Sequence, residues 1–200
     1  MMALDTDRAA AQAALKAALR KAVLARRKDV HLASGAAAAS QVLTHGLALI
    51  EPMSGAVVSG YLPIRNELDI VPLLEALHGL GRQIALPVIV DRNGPLAFRH
   101  WRPGDGLKAA GFGLSEPLDG ALELLPDILL VPLAAFDGDG TRLGYGGGYY
   151  DRTLALYRAS RPVTAIGIAY DEQAVPALPR EPHDQRLDWI LTPSGTRKFS

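Results

Sequence analysis

The chain has no cysteine in its 200 residues. That excludes a disulfide framework, a thiol nucleophile and a cysteine-ligated metal. It has no excess of charge: 21 Lys and Arg stand against 21 Asp and Glu, for a formal net charge of zero. No long-range field therefore draws it to nucleic acid or to an anionic membrane surface. It has no apolar span of about eighteen residues. Its first residues, "MMALDTDRAAAQ", carry acids and lack the apolar core of a secretory leader. The expectation is a cytoplasmic monomer that acts on a small molecule, with no nucleic-acid and no membrane partner. With 48% hydrophobic and 21% charged residues the chain can bury a core, which argues against disorder. Its length suits one domain spanning residues 1–200.

Patterning predicts a helix over residues 6–28, rich in alanine and leucine and free of glycine and proline, and a second over 34–50, with Gly46 near its end. "GAVVSGYL" reads as a buried strand. "IVPLLEALHGLG" reads as a helix entered through Pro72 and closed by glycine. "QIALPVIV" and "LAFRHW", joined by the turn "DRNG", predict a hairpin. Residues 103–126 are rich in breakers and read as loop. "DILLVPL", "VTAIGIAY" and a last short "LDWILT" complete the strands, with a short helix in "YYDRTLALYRA". Strands spaced at roughly 30 residues with helices between them predict an α/β fold. Its expected form is a three-layer α/β/α sandwich with a mainly parallel central sheet. In such sheets ligands sit beyond the carboxyl ends of the strands.

At such an end lies "FDGDGTRLGYGGGYYDR", residues 136–152. Strand, glycines and helix in that order can cradle an anion, because glycines let backbone N–H groups approach and a helix N-terminus adds partial positive charge. The run contains neither G-x-x-x-x-G-K-S/T nor G-x-G-x-x-G, and glycines alone account for nothing more than a wide turn. Arg142 and Arg152 flank the run, and Asp151 lies between them in sequence. A carboxylate among phosphate-binding groups calls for Mg²⁺, though Asp151 could equally cap the helix or pair with Arg152. Tyr145, Tyr149 and Tyr150 offer flat faces to a heteroaromatic ring.

At these residues the chain resembles the 5-formyltetrahydrofolate cyclo-ligase family. "RLGYGGGYYDR" is similar to that family's signature. "KAALR", "YLPIRNELD", "FRHWRPGDGL", "GLSEP" and "HDQRLDWILT" resemble its other segments in the same order, over almost the whole chain. The resemblance implies an α/β/α enzyme that uses ATP and Mg²⁺ to turn 5-formyltetrahydrofolate, polyglutamylated or not, into 5,10-methenyltetrahydrofolate, with ADP and phosphate as products. The alternative is a folate-storage protein on the same fold that has lost turnover.

The resemblance also implies roles. Lys16 and Arg20, four apart on the first helix, would clamp the ATP phosphates. Arg27 shares their helical stripe, but Arg26 and Lys28 compete with it in one charge run. Arg142, Leu143, Gly144, Tyr145, Gly146, Gly147, Gly148, Tyr149 and Tyr150 would wrap the nucleotide. Tyr145 and Tyr149 would also face folate, and Arg142, Tyr149 and Asp151 would act in catalysis. Gly147 stands where some relatives carry lysine, so the charge that stabilises transfer must come from Lys16, Arg20, Arg142 or Arg152. Asp151 and Asp184 would hold Mg²⁺. His183 raises a transition-metal site as a lesser alternative, although Mg²⁺ prefers oxygen donors. Leu62 and Glu67 would bind folate, with Trp101 and Tyr61 as candidate apolar walls.

Overall fold

Residues 128–132 alternate in direction, and the alternation sets the layering. Ile128 and Leu130 join one buried cluster while Leu129 and Val131 join another. Ile84 and Leu86 oppose Ala85 in the same way, and Ile166 and Ile168 oppose Ala165. Strands buried on both faces require a covering layer on each side. The computed structural model describes residues 2–200, and the side chains of residues 11–111 and 113–200.

In chain order the elements begin with α1 (Met2–Ile50), β1 (Val57–Ser59), α2 (Val71–Gly79), β2 (Gln83–Val88) and β3 (Ala97–Trp101). Then come β4 (Leu107–Ala109), β5 (Ser115–Pro117), β6 (Ile128–Pro132), β7 (Ala135–Phe136) and β8 (Arg142–Leu143). The last are α3 (Tyr149–Ser160), β9 (Thr164–Ile168), β10 (Trp189–Thr192) and β11 (Gly195–Lys198). The main sheet has seven strands in the order β11-β10-β9-β6-β1-β2-β3. Its five inner strands are parallel, and its edges β3 and β11 are antiparallel. Leu73, Leu74 and Leu77 of α2, with Ala38 and Val42 of α1, cover one face. Leu154 and Tyr157 of α3 cover the other. The mainly parallel α/β/α sandwich read from the sequence is the architecture found.

Three details differ. The two expected helices are one, α1, of 49 residues. No proline interrupts residues 29–33, and a glycine inside a helix costs only about 1 kcal/mol. Gly46 is not a stop signal but a packing requirement: a Cβ there would lie 2.6 Å from Leu73 Cδ2. The expected loop 103–126 holds a small hairpin, β4–β5. The chain also adds β11, whose mostly exposed "GTRK" gives little hydrophobic signal.

The wiring fixes where a ligand can sit. From β1 the chain passes through α2 to β2 on one side; from β6 it passes through α3 to β9 on the other. β1 and β6 are neighbours, so they form the point where winding reverses. The crevice beyond their carboxyl ends is the position such sheets offer for binding. Two loops meet there: residues 60–70 after β1, and the glycine run after β6. The amino-terminal half of α1 lies over the second loop, with Leu19 and Val23 packed on Ala135, Leu143 and Leu178.

Candidate active site

A cavity of about 620 Å³ opens at this crevice. Lys16, Arg20, Leu62, Glu67, every residue from Arg142 to Asp151, and Asp184 line it. Tyr61 lines it as well. Trp101 is placed elsewhere. It pairs with Ile84, near the amino end of β2, and lies buried in the core under α1 and α2. The cavity is at the opposite end of that strand, where Pro87 and Ile89 contribute to it.

The glycine run is shaped by its backbone. Gly146 and Gly148 take φ values of 101° and 66°, the left-handed region that side chains resist. Gly148 is the residue that starts α3. At Gly147 a Cβ would sit 2.8 Å from the Tyr149 ring, so glycine lets that ring fold back over the loop. Asp137 ties the base of the run together. Its carboxylate accepts the N–H groups of Asp139, Thr141 and Leu178, which leaves it no role as a cation ligand. Arg20 Nε donates to the Gly144 carbonyl at 2.8 Å, joining α1 to the loop.

One pole of the cavity is charged. Lys16 Nζ donates to Glu181 at 2.6 Å and to Asp184 at 2.9 Å. Burial works against the Lys16 ammonium, but these two carboxylates outweigh it and hold its pKa above the ordinary lysine value. Asp184 is also partly desolvated, yet Lys16 and the Glu181 N–H keep its pKa below the ordinary aspartate value. Arg142 is buried beneath them and donates to Asp151 at 2.7 Å and to the Gln185 carbonyl. Burial lowers its pKa, and Asp151 opposes that shift.

The expected metal pair was Asp151 and Asp184. Among the described residues, the groups near enough to share one ion are Glu181, His183 and Asp184, whose ligand atoms lie within 4.8 Å of one another. Asp151 lines the same cavity, but its Oδ1 is taken by Arg142 and by the Gln185 N–H at 2.9 Å. The set is dominated by carboxylate oxygen, which suits a hard cation such as Mg²⁺ better than a transition metal.

The other pole is buried and holds one acid. Glu67 is 5% exposed and accepts the Ile64 N–H at 3.0 Å. The tight turn puts Arg65 at φ 56°, the one positive φ outside glycine among the described residues. Burial pushes the Glu67 carboxyl up, while the Ile64 N–H, Tyr145, Arg27 and Arg65 hold it down. Tyr61 and Tyr150 stand nearby, their phenols pushed up by burial and by the Glu67 charge. The Tyr150 hydroxyl is buried without a hydrogen-bond partner among the described residues. Lys16 and Arg27 are eleven residues apart on α1, so the two poles are separated by about 16 Å along the helix.

One further expectation changes and one open choice is resolved. Arg152 lies against Gly148 but off the cavity wall: it donates to the Gly94 carbonyl at 2.8 Å and stacks over the Tyr149 ring at 5.0 Å, bracing the loop against the β2–β3 turn. Within the "RRK" run, Arg26 bonds the Ala174 carbonyl on the exterior, whereas Arg27 is 3% exposed and faces the cavity. Sequence reasoning missed Glu181 altogether. Its signal was the clustering of Glu181, His183 and Asp184 within four positions.

A family model described as the 5-formyltetrahydrofolate cyclo-ligase family matches residues 12–193. The chain is 38% identical over 188 residues to 5-formyltetrahydrofolate cyclo-ligase of Mycolicibacterium smegmatis, covering 89% of this chain and 93% of that one. It is 38% identical over 142 residues to the Escherichia coli protein of the same name, covering 68% and 78%. The NMR structure of Aquifex aeolicus 5,10-methenyltetrahydrofolate synthetase superposes with a TM-score of 0.77 at 29% identity, over 92% of each chain. A 5,10-methenyltetrahydrofolate synthetase from Mycoplasma pneumoniae superposes with a TM-score of 0.72 at 26% identity, over 89% of this chain and 98% of the other.

Proposed function

The chain belongs to the 5-formyltetrahydrofolate cyclo-ligase family, and from that premise we propose how its cavity serves the reaction. The enzyme converts 5-formyltetrahydrofolate to 5,10-methenyltetrahydrofolate while ATP becomes ADP and phosphate. The observation that carries the reading is the two-pole cavity, cationic and acidic at one end, carboxylate-floored at the other, with the glycine run 142–151 lining it.

The chemistry explains the poles. A formamide oxygen is a poor leaving group. Transfer of the γ-phosphoryl group to it makes a phosphate leaving group, and nitrogen 10 can then attack the formyl carbon and close the ring. Such transfer depends on positioning and charge neutralisation, not on a protein nucleophile. That agrees with a cysteine-free chain. Lys16, Arg20 and Arg142 supply cations at the nucleotide pole, and the left-handed glycines let the backbone approach the phosphates. Asp184 and Glu181 are the carboxylates near enough to hold Mg²⁺ together, and Asp151, on the wall of the same cavity, would offer it a further oxygen; the ion would neutralise charge on the transferring group. Glu67 would accept hydrogen bonds from the amino-pyrimidine edge of the pterin, beside Leu62 and Tyr61. The unpartnered Tyr150 hydroxyl would find its partner on a ligand. Tyr145 and Tyr149 would stand where the two ligands meet. Nothing in this arrangement requires nucleic acid, and no helix among the described residues is long and apolar enough to cross a membrane.

The test is spectroscopic. With ATP, Mg²⁺ and 5-formyltetrahydrofolate, the near-ultraviolet absorbance of the methenyl product is expected to grow, with one ADP formed per product. Folate binding without any absorbance gain would mark a storage protein instead.

A further inference from the structure

The geometry points to Arg27 as a positioning residue that clamps Tyr145 over the folate pole, on the cavity wall it shares with Glu67. This rests on the cyclo-ligase reading and gives a role to a residue that the reaction chemistry above leaves without one.

Arg27 is a guanidinium on the wall of a cavity at 3% exposure, where an unneeded charge is costly. Its Nη1 donates to the Tyr145 hydroxyl, and its guanidinium carbon lies 5.6 Å from the centre of the same ring. Its Nε is buried and has no hydrogen-bond partner among the described residues. An arginine that served the fold alone would bond its buried donors to backbone carbonyls, as Arg152 does. Arg27 instead gives its contact to a tyrosine of the glycine run and lines the same cavity as Glu67, whose ionised form its charge favours. Three segments distant in sequence thus meet: α1 through Arg27, the post-β1 loop through Glu67, and the glycine run through Tyr145.

The consequence is specific. Burial favours the neutral form of Glu67, and the groups that oppose it are the Ile64 N–H, Tyr145, Arg27 and Arg65. Tyr61 and Tyr150 also face this carboxylate, and neither phenol ionises in the neutral range. A pterin edge that donates two hydrogen bonds needs the ionised acid. Removing Arg27 therefore raises the Glu67 pKa further and moves the acid limb of kcat/KM for folate to higher pH. It also releases the tyrosine that joins the folate pole to the nucleotide loop.

The experiment compares Arg27→Met, Arg27→Lys and Glu67→Gln with the wild-type enzyme. Arg27→Met is expected to raise KM for 5-formyltetrahydrofolate about 10- to 100-fold, leave KM for ATP within about threefold, and shift the acid limb upward by about one pH unit. Arg27→Lys keeps the charge and should restore the limb, while the lost fork to Tyr145 still raises folate KM. In Glu67→Gln the acid limb should vanish, and adding Arg27→Met should not bring it back. An Arg27→Met enzyme with wild-type folate KM and an unmoved limb overturns the inference. If that variant does not fold, Arg27→Lys decides: wild-type folate KM overturns the clamp. A chain with no cyclo-ligase activity at all would sink the reading beneath it instead.

Discussion

Asp151→Asn is expected to lower kcat by about two to three orders of magnitude, with affinity for 5-formyltetrahydrofolate changed by less than about threefold. The substitution is nearly isosteric. Asparagine can still accept the Arg142 and Gln185 bonds that Asp151 Oδ1 accepts at 2.7 and 2.9 Å. What it removes is the negative charge. At the nucleotide pole that charge has two proposed uses: to hold Mg²⁺ and to keep Arg142 aimed. Arg142 has a side chain only 4% exposed and loses its direct counter-charge in the variant. Breaking a buried pair costs about 3–5 kcal/mol; Asp151 is 23% exposed and its hydrogen bond survives, so about 1–2 kcal/mol of stability is the expected loss. A thermal melt separates this from the kinetic effect. Unchanged turnover at saturating Mg²⁺ would remove Asp151 from the mechanism. The folate pole, set by Glu67 and Arg27, lacks any contact with Asp151 among the hydrogen bonds of the described residues, which is why folate binding should survive.

Lys16→Met should act on the nucleotide alone. Lys16 bridges Glu181 and Asp184, and without it two carboxylates face an incoming polyphosphate with no cation between them. The expected loss is about 100- to 1,000-fold in kcat/KM for ATP, with folate KM near wild type and partial recovery at raised Mg²⁺. The pH dependence follows from the shifts. The Lys16 pKa is raised, so its stabilising pair is complete below the ordinary lysine value and is lost only as pH climbs through the raised one. The Asp184 pKa is lowered, so its share is complete above the ordinary aspartate value and is lost as pH falls through the lowered one. Both groups are charged from about pH 6 to 9, and the ratio of wild-type to variant rates should be flat across that window. A ratio that varies steeply there would mean that Lys16 acts through some other titrating group.

Much of this was legible before any coordinates. The alternating "ILLVP", the strand spacing and the glycine run determined the layering and the place of the cavity. The motif residues, from Lys16 to Asp184, came together there. What could not be read depended on distances between remote segments. Gly46 looks like a helix end because glycine usually marks one; only the approach of Leu73 shows that it is there for close packing. Trp101 looks like a ligand wall because it is a tryptophan beside a family motif, but strand register places it at the wrong end of β2. Arg152 is indistinguishable in sequence from a phosphate ligand until the Asp91–Gly94 turn is seen to hold it. Arg27 could not be separated from Arg26 and Lys28, since neighbouring charges on a helix differ only in which way each one faces. β11 carries too little hydrophobic signal for an edge strand to be seen.

The claim at the centre of this account is that the glycine run brings the γ-phosphoryl group to the formyl oxygen. That oxygen must then leave with the phosphate. Turnover of 5-formyltetrahydrofolate labelled with ¹⁸O in the formyl group, followed by mass analysis of the phosphate released, tests this directly. Each phosphate released should carry the label. Unlabelled phosphate, with the label in water, would contradict it.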